Sequence, residues 1–488
     1  MQSQGQKKFF DLYEPSESFY DEVFDGNGKV KPGYQKIFDH FNHLGEENFL
    51  RLFDEAKTSF FNQGITFAVY SDTDQGTEKI FPFDLFPRII TAREWEHLEE
   101  GVLQRTRAIN AFIFDIYHDQ KIIKDKIIPA ELIFSSKNYQ KLMKDFSPPG
   151  DIYCHISGTD IIRHSDGEFY VLEDNLRSPS GVSYVINNRI ALKRGLLGLF
   201  NTNKVESVSD YPEHLLKTLH SVHPHGMEET NCVLYTPGSF NSAYFEHAFL
   251  AQRMGIELVE GQDLIVEHDY VFMKTIYGKV KVDVIYRRVD DNFIDPEAFN
   301  KDSLLGVPGL MRAYLAGNVT LVNAPGTGFA DDKAVYTYLP EIIKYYLGEE
   351  PILNNVKTYR CEIDEDYKFV MENVDKLVVK PVDEAGGYGI TIGTTLTKKE
   401  IEEVKQRITA DRRKYIAQPI MSLSVHATYI EDSHAFEARH VDLRTYTLFG
   451  KDCQHVLKGG LSRVALKKGN LIVNSSQGGG SKDTWVLK

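Results

Sequence analysis

The sequence is poor in cysteine and has no cysteine pair of the CxxC kind. Its four cysteines, Cys154, Cys232, Cys361 and Cys453, lie far apart along 488 residues. Closely spaced cysteines are the usual sign of a zinc site or a disulfide framework. We therefore predict neither, and we expect a protein of the reducing cytoplasm.

Positive charge and long apolar runs are also scarce. Lysine and arginine number 56 against 70 aspartate and glutamate residues, which gives a formal net charge of −14. A protein that binds the nucleic-acid backbone carries a basic face instead. Residues 186–200 are interrupted by Asn, Arg and Lys, and residues 1–17 lack the apolar stretch of a signal peptide. We expect neither a nucleic-acid partner nor a membrane partner.

The rest of the composition is that of a globular protein. The chain is 42 % hydrophobic, and its length suits about three domains. Apolar residues recur at three-to-four spacing in 33–61 and Ala92–Tyr117, which predicts helices, with short strands at Thr66–Ser71 and 79–81 between them. We predict four regions: a mostly helical one over 1–150, then 151–230, 231–330 and 331–488.

Residues 231–330 alternate between strand-like and helix-like segments. The strand candidates are 231–235, Glu257–Val259, 281–287 and 320–323. Strands that alternate with helices favour a parallel sheet. The predicted fold class is α/β.

A glycine-rich segment follows a strand in KLVVKPVDEAGGYGITIG, residues 376–393. Lys380 ends the strand, and Gly386, Gly387 and Gly389 follow it. Glycines let backbone N–H groups approach phosphate oxygens, and a lysine adds a fixed positive charge. The alternative is a plain hairpin turn with a surface lysine, because glycine-rich turns are common.

Acidic and amide side chains cluster in residues 157–181. Strands at 160–163 and 168–173 are predicted around the turn 164–167, which places Asp160 on one strand and Glu173 and Asn175 at the end of the next. Residues two apart share a strand face, and oxygen ligands of this kind suit Mg²⁺. The alternative is an acidic hairpin that faces solvent.

An alternating strand in residues 436–450 places Asp442 and Arg444 on one face. An arginine aimed into a site can stabilise a transferring phosphoryl group. The alternative is a cross-strand salt bridge. Arg463 and Asn474 accompany a polar glycine loop further on, which is equally typical of a flexible surface loop.

Together these segments resemble the ATP-grasp superfamily. Members share an Asp-Lys motif, a Lys-Pro strand with a glycine loop, a hinge strand and a closing acidic strand. This chain has Asp332-Lys333, Lys380 and YIAQPI at 415–420, but the closing strand at 157–181 comes first. That order is similar to glutathionylspermidine synthase and to the circularly permuted ATP-grasp family. The resemblance extends from about residue 151 to the end of the sequence given.

The resemblance implies a role for each matching residue. Residues 151–230 would be the metal-binding end of the core, 231–330 a Rossmann-like pre-grasp domain, and 331–488 the ATP-binding part. The implied contacts are Lys333, Lys380, Gly386, Gly387 and Gly389 with the ATP phosphates, Gln418 and Ile420 with adenine, Asp160, Glu173 and Asn175 with Mg²⁺, Arg444 with the transferring phosphoryl group, and Arg177 and Ser180 with the acceptor substrate. The hinge glutamate that many members place on the ribose is absent from YIAQPI.

The implied activity is an ATP-dependent carboxylate–amine ligase that works through an acyl phosphate. Its partners would be small-molecule or peptide carboxylates and amines. Two alternatives stay open, a phosphotransferase and a nucleotide-binding protein without turnover, because the fold alone does not select the reaction. No amidase-like Cys/His pair accompanies the motifs.

Overall fold

The computed structural model describes residues 10, 13–15, 18–71, 74–227, 229–382, 389–469, 473 and 479–488. Both long helices predicted in the first region are present. In chain order the α-helices within these ranges are α1 Gln35–Asn62, α2 Ala92–Tyr117, α3 Lys121–Lys124, α4 Ala130–Phe134, α5 Val182–Asn203, α6 Tyr211–Ser221, α7 Tyr244–Met254, α8 Leu310–Leu315, α9 Lys333–Tyr336, α10 Leu339–Leu347, α11 Asp364–Asn373 and α12 Lys398–Ala410.

A large, mainly antiparallel sheet, called here the central sheet, forms the middle of the molecule. Helix α2 packs on one face through Trp95, Leu98 and Val102, and α5 packs on the other. Its strands are, in spatial order, β13 (Asn354–Asn355), β5 (Phe169–Asn175), β4 (Ile156–Arg163), β19 (Ala435–Phe449), β21 (Leu461–Val464), β22 (Gly480–Val486) and β3 (Phe83–Ile90), and β18 (Val425–Ile430) and β20 (Gln454–Val456) also pair with β19.

Strand β3 was missed by the sequence analysis. All eight of its residues are buried, so the apolar/polar alternation that marks a half-buried strand is absent. The segment also contains Pro87, which argues against a strand interior. In the structure, β3 runs parallel to β22, and Pro87 falls in a register shift, where no ladder N–H is required.

The predicted parallel sheet is confirmed. Its strands are, in spatial order, β12 (Thr320–Val322), β11 (Val284–Arg287), β6 (Cys232–Tyr235) and β7 (Glu257–Val259), and every neighbouring pair is parallel. The carboxyl ends of parallel strands meet at one edge, and polar groups from the loops that follow collect there. A meander of β8 (Leu264–Glu267), β9 (Tyr270–Thr275) and β10 (Gly278–Val282) flanks this unit, and β1 (Thr66–Ser71) and β2 (Asp74–Ile80) form a separate hairpin.

A small antiparallel sheet carries the predicted lysine strand and hinge. It contains β14 (Tyr359–Arg360), β17 (Tyr415–Pro419), β15 (Leu377–Pro381) and β16 (Thr391–Ile392). Helices α11 and α12 cover one face and enclose an apolar core with Leu377, Val379 and Ala417. The alternate residues of β15 and β17 therefore face the other way, toward the central sheet.

One asparagine joins the parallel sheet to the central sheet. Asn323 follows β12, and its side-chain oxygen accepts hydrogen bonds from the backbone N–H groups of His155 and Ile156, at 2.7 and 2.8 Å. Its amide nitrogen donates to the carbonyls of Ile156 and Leu176. His155 and Ile156 lie at the beginning of β4, and Leu176 directly follows β5. Asn323 therefore holds the carboxyl edge of the parallel sheet against the acidic hairpin.

A buried charge cluster ties the N-terminal segment to the central sheet. The Glu22 carboxylate lies between Arg88 on β3, at 2.6 Å, and Arg163 on β4, at 2.8 Å. It also accepts a hydrogen bond from the Ser424 hydroxyl. Burial alone would raise the pKa of Glu22, but the two guanidinium groups lower it to about 2.

We predict that Glu22→Gln lowers the midpoint of thermal unfolding at pH 7 by roughly 3 °C, a loss of about 3 kcal/mol, because it leaves buried Arg88 without its carboxylate and leaves Arg163 with Glu94 alone. The lowered pKa means that the contribution of Glu22 is fully present above about pH 4.5 and is lost as the pH falls toward 2. The deficit of the variant should therefore be smaller at pH 3 than at pH 7 and should approach zero only near pH 2. Exposed Glu14→Gln is the control, and an equal deficit at pH 7 and pH 3 would contradict the assignment.

Candidate active site

A cleft between the central sheet and the small sheet brings distant predicted residues together. Its walls include Asp160 and Glu173 from the acidic hairpin and Lys380, Gln418 and Ile420 from the small sheet. An adjoining pocket, lined by Asn175, Arg177 and Lys333, shares Glu173 with it. The lysine strand and the acidic strand, more than two hundred residues apart, therefore face one space.

Lys380 faces this cleft and is bonded to the hinge strand. On β15, Val378 and Lys380 alternate with the core residues, and Val378 pairs in register with Gln418 on β17. The Lys380 ammonium donates to Gln418 Oε1 at 2.6 Å, and the Gln418 amide donates to Thr358 Oγ1. Burial lowers the pKa of Lys380 to about 8, although Glu173 opposes the shift. An anion in the cleft would raise this pKa again.

Only part of the predicted glycine loop lies in the described ranges. Gly386 and Gly387 lie outside them. Gly389 has φ +71°, and a Cβ built there would lie 2.9 Å from Pro381 Cγ. Both the left-handed backbone and the contact with Pro381 require glycine at this position.

Lys333 lines the adjoining pocket, at the start of α9. Asp332 caps this helix by accepting a hydrogen bond from the Ala334 N–H at 2.8 Å. The Lys333 ammonium lies 3.3 Å from Glu173 Oε2. Burial lowers the pKa of Lys333, but the nearby carboxylates of Glu173 and Asp331 outweigh it and the pKa is raised. Lys333 thus keeps its positive charge.

A β-bulge decides which acidic side chains face the cleft. Asp160 pairs with Glu173, whereas the next residue, Ile161, pairs with Val171, so Leu172 is an extra residue on β5. Bulges of this kind re-aim the side chains that follow. Glu173 and Leu172 both line the cleft, and Asp174 points to α2, where Arg105 binds its carboxylate.

The Asp160 carboxylate is held by two arginines. Arg444, its cross-strand neighbour on β19, donates from Nε to Oδ1 at 2.6 Å and from Nη2 to Oδ2 at 2.8 Å. Arg463 on β21 donates to Oδ2 at 2.8 Å and also binds Asp442. Burial would raise the pKa of Asp160, but these guanidinium groups lower it far below its ordinary value. The cross-strand salt bridge considered as the alternative for Arg444 is present, and it lies in the wall of the cleft.

Arg177 and Ser180 lie on the loop that joins β5 to α5. Arg177 donates to Asp331 Oδ2 at 2.6 Å and lies 3.7 Å from Asp290 Oδ2. The Ser180 carbonyl accepts hydrogen bonds from Tyr446 Oη and Arg444 Nη1, at 3.0 and 3.4 Å. The loop therefore lies beside the Asp160–Arg444 pair, at the carboxyl edge of the parallel sheet.

The side-chain oxygens of Asp160, Glu173 and Asn175 are the groups at this site that could hold Mg²⁺. In the described ranges no cluster of three His, Cys, Asp or Glu residues has the spacing of a metal site. Asp160 uses three of its about four acceptor positions on arginines. Asn175 donates its amide to the Gly158 carbonyl and keeps its oxygen as an acceptor. Glu173, Asn175 and the last position on Asp160 fit Mg²⁺, which typically takes one or two carboxylates and completes its shell with phosphate oxygens.

Several site residues were not predicted. Arg463 was noted beside the glycine loop without a role, and Asp331, next to the Asp-Lys motif, was not singled out. The alternation of β21 could have indicated that Arg463 faces the site, because Arg463 pairs directly with Asp442 on β19. No local pattern marks Asp331, because its partner Arg177 lies 154 residues away.

The fold and the cleft define an ATP-grasp protein in which the acidic hairpin precedes the small sheet with its lysine strand along the chain. Residues 87–465 match the family model described as circularly permuted ATP-grasp type 2, and the chain belongs to that family. The family and the fold class predicted from the sequence are confirmed. Among the helices in the described ranges, none is both long and apolar enough to cross a membrane.

Relatives extend over the whole of the chain. An uncharacterized protein of Synechocystis sp. is 50 % identical over 476 residues, 98 % of both chains. A protein of Frankia alni, named as a candidate glutamate–cysteine ligase, is 39 % identical over 470 residues, which is 96 % of this chain and 54 % of that protein. A glutathione synthetase-like effector from Globodera pallida, solved in the apo form, has a TM-score of 0.56 at 11 % identity and covers 91 % of this chain and 98 % of its own, which shows a shared fold.

We predict that ATP with Mg²⁺ raises the midpoint of thermal unfolding by mass action and that Lys380→Met loses most of that gain. Since the pKa of Lys380 in the free protein is about 8, binding at pH 9 requires proton uptake, and the gain should be smaller at pH 9 than at pH 7. Exposed Lys376→Met, four residues earlier, should behave like the parent chain. If folded Lys380→Met keeps the full ATP-induced gain in thermal midpoint, with the pH dependence of the parent chain, Lys380 is not part of the phosphate site.

Proposed function

We propose that the protein is an ATP-dependent ligase that joins a carboxylate to an amine through an acyl phosphate, with release of ADP. The observation that carries the proposal is the convergence of Lys380 and Lys333 on Glu173 from two separate parts of the chain. Two lysines beside a carboxylate form a site for a metal-bound polyphosphate. The name of the Frankia alni relative, a candidate glutamate–cysteine ligase, adds support for amide-bond formation.

In this proposal the chain binds the nucleotide between its two sheets. Lys380 and Lys333 hold phosphate oxygens, and Gln418 and Ile420 lie where the hinge meets the base. Glu173 and Asn175, with Asp160 beside them, would hold Mg²⁺, which neutralises phosphate charge when it is bound. Leu172, Ile390, Ile392, Met421 and Leu423 supply apolar surface around the charged groups. This apolar wall limits the access of water to a reactive intermediate.

The reaction itself requires positioning and charge stabilisation more than protein acid–base chemistry. A carboxylate oxygen attacks the γ-phosphorus, and the bond from that phosphorus to the ADP oxygen breaks. An amine nitrogen then attacks the acyl carbon, phosphate leaves, and the nitrogen loses a proton. Arg444 lies beside Asp160 and stabilises the phosphoryl and oxyanion charge, while Arg177 and Ser180 contact the acceptor.

We predict that Glu173→Gln lowers ADP release by at least ~100-fold, because it removes the charge that holds the cation against the triphosphate. Binding of ATP should weaken only modestly, because both lysines remain. The assay is ADP release at saturating Mg²⁺ with pooled amino acids, peptides and polyamines, followed by product analysis. Exposed Glu168→Gln, on the same hairpin, is the matched control.

The products separate the proposal from its alternatives. A ligase yields ADP, free phosphate and an amide in equal amounts, whereas a phosphotransferase leaves the phosphate on its product. ATP binding without ADP release in any acceptor pool would favour a protein without turnover. Equal activity in Glu173→Gln and Glu168→Gln would remove the metal site from the mechanism.

A further inference from the structure

The end of β11 carries a buried arginine that the proposed reaction does not use. Arg288 donates from Nε to His247 Nε2 at 3.1 Å and from Nη1 to the Pro179 carbonyl and the Tyr286 hydroxyl, at 3.2 and 2.8 Å. Its Nη2 donates to Ser180 Oγ and lies 3.3 Å from Glu246 Oε1. Arg288 thus bonds directly to the loop that carries Arg177 and Ser180.

Glu246 holds the same loop from helix α7. Its second oxygen, Oε2, accepts hydrogen bonds from the backbone N–H groups of Gly181 and Ser183, at 2.7 and 3.0 Å, and from the Ser183 hydroxyl. These are the donors at the beginning of α5 that lack a partner within the helix. One buried carboxylate therefore caps α5 and fixes the end of the loop, while Arg288 neutralises its charge.

His247 completes the group as a neutral acceptor. An arginine can only donate, so His247 Nε2 accepts, and Nδ1 carries the proton that it donates to Thr236 Oγ1 at 2.8 Å. Burial and the neighbouring Arg288 lower the pKa of His247 to about 2. The histidine therefore keeps this tautomer at every ordinary pH, and it fixes the plane of the Arg288 guanidinium group.

The opposite side of the loop is fixed as well. Tyr446 and Arg444 hold the Ser180 carbonyl from the central sheet, and Gly181 has φ +116° with the Tyr446 hydroxyl where a Cβ would lie. The loop is clamped between the parallel sheet, through Arg288 and Glu246, and the central sheet, through Tyr446 and Arg444. Moving either sheet would move the loop.

We propose that Arg288, together with Glu246 and His247, is a positioning residue that sets the loop 177–181 for the acceptor substrate and leaves the nucleotide site unaffected. This inference rests on the proposed ligase function. The Arg288 N–H occupies a lone pair of Ser180 Oγ, so the hydroxyl proton must point elsewhere. In the described ranges its hydrogen-bond acceptor is the Ser178 carbonyl at 3.5 Å, which is long for an O–H···O bond, and this leaves Ser180 as a donor to a substrate oxygen.

The test uses Arg288→Lys and Glu246→Gln in the whole chain, with two readouts that need no turnover. Hydrogen exchange of the amides in 176–183 should accelerate about tenfold or more, because Gly181 and Ser183 lose a charged acceptor or its neutralising partner. The ATP-induced gain in thermal midpoint should stay unchanged. Once an acceptor is identified, its KM should rise about tenfold while the KM for ATP does not.

Arg312→Lys is the matched control. Arg312 is an exposed arginine on α8 of the same unit, and its salt-bridge partners in the described ranges are Asp269 and Glu297. If Arg288→Lys does not fold, Tyr446→Phe removes one bond from the other side of the clamp and should accelerate exchange of the same amides. Unchanged exchange in 176–183 overturns the inference, as does an equal rise in both KM values. Absence of ADP release in the parent chain would instead contradict the proposed function.

Discussion

The Asp160 carboxylate has been removed from water at a cost of several kcal/mol, and in the described part of the chain it is compensated by two arginines, Arg444 on the adjacent strand and Arg463 on the strand beyond it. This requirement fixes much of the site. Arg444 must approach from β19 and Arg463 from β21, which sets the register of three adjacent strands of the central sheet. Because Arg444 also donates a hydrogen bond to the Ser180 carbonyl, the same pair fixes one side of the loop 177–181. Asp160 therefore organises the positive groups of the cleft in addition to the metal role predicted for it.

The charge of the cleft follows from this arrangement. Arg444 and Arg463 bind Asp160, and Arg463 also binds Asp442, whereas the ammonium group of Lys380 is bonded to the neutral amide of Gln418. In a low-dielectric cleft, such pairing keeps the empty site foldable and leaves the Lys380 ammonium group for an anion. Because the pKa of Lys380 is lowered to about 8, the lysine releases its proton above that pH when no anion is present.

Local sequence patterns predicted most helices and strands, and the structure shows which features have no such pattern. The strands of the parallel sheet, the acidic hairpin and the Lys380 strand each carry a periodicity or a motif within a short window. Strand β3 has none, because it is buried on both faces and contains Pro87. The bulge at Leu172 depends on how β5 pairs with β4. Sequence alternation alone would have placed Val171 and Glu173 on the same face of the strand. The contacts of Asn323 and Arg288 depend on packing between sheets, which no local window records.

Chain order explains why these long-range contacts are so important to the site. The acidic hairpin comes early in the chain, whereas its partner strand β19 and the lysine strand come much later, and Arg444 lies 284 residues from Asp160. Contacts between distant residues form only after their loop-closure entropy has been overcome. Until β19 pairs with β4, Asp160 has neither arginine, and the loop 177–181 lacks one side of its clamp. The complete cleft therefore exists only when both halves of the permuted core have assembled, so the proposed nucleotide binding would depend on the complete fold.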